Sequence, residues 1–160
     1  MRILVAGIGN MFLGDDGFGV EVARRLSRQT LGEHIDVVDF GIRGIHLAFE
    51  LSGGRYDAAV LVDAVSRGGP PGTVYVIEPD VGGDACDPSA ADAHSLTPDA
   101  VLTWIRQVGG TRPRVVVVGC EPETTAESME LSAPVAAAID QAMQTIRDLV
   151  GEMSGVTPCA

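Results

Sequence analysis

Little in this chain would let it hold nucleic acid, cross a bilayer or be stapled by disulfides. Cysteine is scarce and dispersed: Cys86, Cys120 and Cys159 lie far apart, and none forms a CxxC pair. An odd, scattered set of this kind points to neither a disulfide framework nor a thiolate zinc site. Cys120 follows a run of valines and reads as a small buried hydrophobe. Positive charge is thin as well. Against 22 acidic residues stand 11 basic ones, a formal charge of -11. With no Lys/Arg cluster to release counterions, neither nucleic acid nor an anionic membrane is an expected partner. Although 46% of the residues are hydrophobic, no apolar run approaches the roughly 20 residues that span a bilayer. Gly7, Gly9 and Asn10 interrupt the first apolar stretch before it could become a signal-peptide core, so a cytoplasmic location is expected. Internal repeats and low-complexity segments are absent.

What is present alternates between strand and helix signals. The pattern predicts a three-layer α/β/α sandwich on a five-stranded, mostly parallel twisted sheet. The 160 residues suit one domain, expected over 1–150, with 151–160 as a flexible tail. Strands are predicted at 2–7, 35–40, 58–65, 73–78 and 114–119. The fourth follows Pro70-Pro71-Gly72 too closely to have returned by a helical crossover, so it should run antiparallel. Val20, Ala23 and Leu26 share one stripe of a helix after the first strand, where Glu21 and Arg25 can pair one turn apart. Thr97-Pro98-Asp99 supplies a cap, a proline at the first helical position and an acid in the first turn of a helix through Val108. Pro134 opens the last helix. Residues 80–95 show no periodicity and read as a long loop.

Three potential metal ligands fall where such a sheet would deliver them to one edge: Asp16 after the first strand, Asp63 at the end of the third, and His94 before a helix. Ligands bind beyond the carboxyl ends of these strands. Two carboxylates and an imidazole meeting there could hold a divalent transition metal. Either Asp15 or Asp16 could instead cap the following helix, but both cannot, and the spare one would project over the sheet edge. Asp63 is the sole polar interruption of an apolar strand. It needs a hydrogen bond, a cation or a metal to offset lost solvation, and Arg67 is the one basic residue close in sequence. His94 precedes the Thr97 cap, whose positive helix end favours the neutral, metal-binding imidazole. His34 and His46 have surface or packing contexts. Asp39, before the glycine turn at Gly41, is a partner that supports a site ligand, a substrate contact or a turn former. A dinucleotide reading of Gly7-Ile8-Gly9 fails because no third glycine follows at the right spacing, and Asp15 and Asp16 would repel a pyrophosphate. No Ser or Cys stands in a nucleophile elbow, which argues against covalent catalysis.

The opening 2–10 segment (RILVAGIGN), Gly14-Asp15-Asp16-Gly17-Phe18-Gly19, Asp39-Phe40-Gly41, Val62-Asp63-Ala64, His94-Ser95-Leu96 and Val118-Gly119-Cys120-Glu121-Pro122-Glu123 occur in this order and together closely resemble the hydrogenase maturation proteases. The resemblance implies an endopeptidase that removes a C-terminal extension from the large-subunit precursor of a NiFe hydrogenase after nickel insertion. It also implies that the nickel is supplied by the precursor rather than held permanently, and that Asp16, Asp63 and His94 are both the metal-contacting and the catalytic positions. Asp39 and Gly41 are the expected substrate contacts. Two departures stand out: Asp16 occupies a place where many members carry Glu, and Phe40 replaces the first glycine of a common Asp-Gly-Gly turn. The same three ligands would also serve a nickel-binding chaperone of hydrogenase assembly that cuts nothing, or a small-molecule hydrolase with its own divalent metal.

Overall fold

The structure is a computed structural model that describes residues 1–79 and 97–155. Its strands are β1 (Ile3–Ile8), β2 (Ile35–Gly41), β3 (Ala58–Ala64), β4 (Val74–Ile77) and β5 (Arg114–Cys120). Its helices are α1 (Phe18–Leu26), α2 (Gly44–Ser52), α3 (Pro98–Val108) and α4 (Ala133–Ser154), with a 3-10 turn at Gly14–Gly17. The five strands form one sheet in the order β2-β1-β3-β5-β4. All neighbours are parallel except β4 and β5, which is the predicted sandwich with its antiparallel fourth strand.

The three layers follow from side-chain alternation. Ile3 and Val5 of β1 join Val60 and Val62 of β3 in one core with α1 and α4, through Phe18, Val22, Ile139 and Ile146. Leu4, Ala6 and Ile8 face the other way and join Ala59 and Leu61 in a second core with α2 and α3, through Leu47, Leu51, Val101 and Ile105. Strands buried on both faces read as unbroken apolar runs, as β3 and β5 do. Each fully buried Leu, Ile, Val or Phe contributes about 1.5–3 kcal/mol.

Local signals account for several boundaries. Thr97 accepts a hydrogen bond from the Ala100 amide at 3.3 Å, with Pro98 opening α3. Arg25 donates to Glu21 at 2.8 Å across one turn of α1. The last helix carries on through Gly151 to Ser154. Residues 156–160 lie outside the described ones. Among the described residues, no helix is long and apolar enough to cross a membrane.

Candidate active site at the carboxyl end of the sheet

The sheet's strand order reverses between β1 and β3, the switch point where doubly wound folds open a crevice. Three glycines shape it. Gly7 and Gly19 let α1 press onto the strands: a Cβ on Gly7 would lie 2.2 Å from the Gly19 carbonyl oxygen, and one on Gly19 would lie 2.0 Å from that of Val62. Gly9, at φ +125°, passes between the acids, where a Cβ would come 2.0 Å from the Asp16 carbonyl oxygen and 3.4 Å from Asp63 Oδ1. Glycines that half-resemble a phosphate loop are thus spent on close backbone approach.

Around Gly9 the two expected carboxylates come together. Asp16, in the 3-10 turn, is partly buried and accepts a hydrogen bond from the Asn10 amide at 2.7 Å through Oδ2. Asp63, at the end of β3, is 2% exposed and accepts one from the Ala64 amide at 2.8 Å. Burial first, and the neighbouring Asp16 charge second, push the Asp63 carboxyl well above the usual carboxylate range. Among the described residues neither acid forms a salt bridge. Arg67 does not pair with Asp63; its guanidinium lies over the Tyr75 ring, 6.0 Å from the centroid. Among the described residues the two carboxyl groups share a crevice without a basic partner, an arrangement that a divalent metal would relieve. Among the described residues no group of three His, Cys, Asp or Glu could hold a metal. The expected third ligand, His94, lies outside the described residues, as do Cys86 and Cys159.

Asp39 and Gly41 line a groove of about 330 Å³ together with Gly9, Asn10, Phe12 and Phe40. The turn there is held by Arg43, which donates to the carbonyl oxygens of Asp39 and Phe40 at 2.5 and 3.1 Å. The Asp39 carboxylate makes no hydrogen bond among the described residues, so the turn does not depend on that side chain. His34 and His46 are exposed. Cys120 is fully buried and its thiol is pushed up to about 11, by burial and then by the charges of Asp15 and Glu121. A thiol held protonated is a poor nucleophile.

Sequence reasoning missed two supporting carboxylates. The N-cap of α1 is Gly17, with no side-chain cap bond, so neither Asp15 nor Asp16 caps the helix. Asp15 is fully buried, and its carboxylate accepts from the amides of Glu123, Thr124 and Ser132 and from the Ser132 hydroxyl, at 2.7–3.0 Å. It ties the segment after β5 to the turn that carries Asp16. Glu121 does the same for the segment after Asp63, accepting from the Arg67 and Gly68 amides and the Tyr75 hydroxyl. The available signals were the doubled acid and a glutamate closing an apolar strand.

Known proteins place this architecture. The sequence model described as hydrogenase maturation protease matches residues 20–149. The chain is 30% identical over 158 residues to the hydrogenase 2 maturation protease of Escherichia coli, covering 98% of this chain and 94% of that protein. The hydrogenase 2 maturation peptidase from a Thaumarchaeota archaeon superposes with TM-score 0.70 at 32% identity, over 98% of this chain and 100% of the other. The NiFe hydrogenase maturation protease HycI of Thermococcus kodakarensis gives TM-score 0.73 at 27% identity, over 93% and 92%. An α/β sandwich with this site and these relatives is a peptidase, and therefore a hydrolase. The chain belongs to the hydrogenase maturation protease family.

Proposed function

We propose that the chain is an endopeptidase that removes the C-terminal extension of a NiFe hydrogenase large-subunit precursor, and that it recognises nickel already seated in that precursor. The observation that carries this reading is the pairing of Asp16 with the buried Asp63 at the β1/β3 switch point, with no salt bridge to either acid among the described residues. His94 supplies the third contact. In the sequence it stands three residues before Thr97, and a neutral imidazole is the form that ligates a metal. Asp39 and Gly41 line the groove that takes the peptide. Relatives named for hydrogenase 2 and for a NiFe hydrogenase support the substrate class.

The nickel arrives with the substrate and serves to place the scissile bond beside the acids. Burial and the neighbouring Asp16 raise the Asp63 carboxyl well above the usual carboxylate range, so Asp63 can hold a proton beside Asp16. Such a pair can accept a proton from water as it adds to the carbonyl carbon. It can also return one to the departing amine as the C–N bond breaks. The products are a new carboxylate on the hydrogenase body and a free amine on the released extension.

The test is to incubate the purified protein with nickel-loaded and nickel-free precursor and weigh both by intact mass spectrometry. The loaded form should lose its extension and the nickel-free form keep it. Equal trimming would reject the nickel requirement, and no trimming of either would reject the peptidase substrate.

A further inference from the structure

Beside the groove lies an apolar patch that the fold does not use. Helix α2 buries Leu47, Ala48 and Leu51 against the sheet, yet its opposite face presents Ile45 and Phe49, 48% and 59% exposed. These two sit four residues apart, one above the other on a helix. Ile42, 61% exposed, lies two residues before the helix, and with Phe12, 58% exposed, it lines the groove. Four large exposed apolar side chains, two on the outer face of α2 and two lining the groove beside its start, on a chain of formal charge -11 mark an interaction surface.

Two observations say what covers it. First, the parts of the chain outside the described residues, 80–96 and 156–160, contain only Val81, Leu96 and Val156 as aliphatic residues larger than alanine. They are too poor in large apolar side chains to bury this patch. Second, the patch is continuous with the candidate active site. Phe12 is fixed by its amide bond to the Asn10 side chain at 3.0 Å, and the Asn10 amide is bonded to the Asp16 carboxylate. A second copy of the chain seated here would close the groove over Asp39 and Gly41, which opposes substrate entry. We infer that the patch formed by Phe12, Ile42, Ile45 and Phe49 is the docking surface for an apolar face of the hydrogenase large-subunit precursor, engaged while its extension lies in the groove. This rests on the proposed substrate class.

The experiment uses the full chain with Ile45→Ser and Phe49→Ser together, two residues outside the catalytic pair and the groove. Precursor binding is measured directly by calorimetry, and trimming is followed separately. Both side chains are exposed, so thermal unfolding should not change. The dissociation constant and KM should rise roughly tenfold or more, as for loss of anchoring apolar residues at an interface, with kcat little altered. Equal binding by the variant would overturn the docking surface, as would a wild-type dimer that the variant dissolves. Failure of the wild type to bind precursor overturns it too. Binding without trimming would leave the surface standing and reject the peptidase reading instead.

Discussion

Replacing Asp15 should separate its structural role from the chemistry proposed for Asp16 next to it. Its buried carboxylate accepts four hydrogen bonds, from three amides and one hydroxyl. Bonds to a charged group are worth about 1.5–3 kcal/mol each before the freed donors are rehydrated. Glu123 and Thr124 are exposed and Ser132 is partly exposed, so water can recover much of that sum. A net loss of about 3 kcal/mol for Asp15→Ala is expected, or roughly 6–12 °C in melting temperature for a domain of this size. Asp15→Asn should cost less but still substantially, because its amide nitrogen turns a donor towards donors. Burial alone would raise the Asp15 carboxyl, but the bonds from Thr124, Ser132 and Glu123 outweigh it and hold it below the usual range. A lowered folded pKa gives stability that is present above the unfolded value, about 3.9, and is lost as pH falls through the folded one. Urea unfolding from pH 7 down to pH 2 is the assay. The gap between wild type and Asp15→Asn should narrow only below about pH 4. A gap that is absent at pH 7, or that persists undiminished at pH 2, would refute the clasp.

The remaining expectations concern particular contacts. Gly19→Ala would drive a Cβ to 2.0 Å from the Val62 carbonyl oxygen; the variant should unfold at much lower urea than wild type, and an unchanged midpoint would mean that α1 sits farther from the sheet. Cys120, fully buried with its thiol pushed up to about 11, should resist iodoacetamide at pH 8 in the folded protein and label on unfolding, as read by peptide mapping at that residue. Tyr75→Phe removes the hydroxyl that donates to Glu121 at 2.9 Å; trimming should slow while the fold, followed by circular dichroism, is kept, and full activity would show that the 65–72 segment is held without it.

The parts of the fold that were legible carry their information locally. Asp63 stands out because it is the one polar residue in an otherwise apolar β3, and Thr97-Pro98-Asp99 contains the whole start of α3. The direction of β4 could be inferred from a connection too short for a crossover. Its place could not, because β4 skips β3 and pairs with β5. That choice is fastened by backbone bonds from the Gly72 amide to the Glu121 carbonyl and from the Glu121 amide to the Thr73 carbonyl. The division of labour between Asp15 and Asp16 was hidden for the same reason. Adjacent acids share every local signal, and what distinguishes Asp15 is a set of donors 108 to 117 residues along the chain. Glu121 was visible only as a letter in a motif, since its partners at Arg67, Gly68 and Tyr75 meet it through the tertiary fold. The placing of Asp16 and Asp63 at one sheet edge was readable because the end of an apolar strand and the loop after the first strand meet at a switch point in any sheet of this order.

The most direct measurement of the central claim is anomalous diffraction from crystals of the protein soaked in nickel or a cadmium surrogate. One peak bonded to the carboxylates of Asp16 and Asp63 and to the His94 ring is the predicted result. A peak away from those carboxylates, or His94 standing far from both of them with the ion bound, would contradict it.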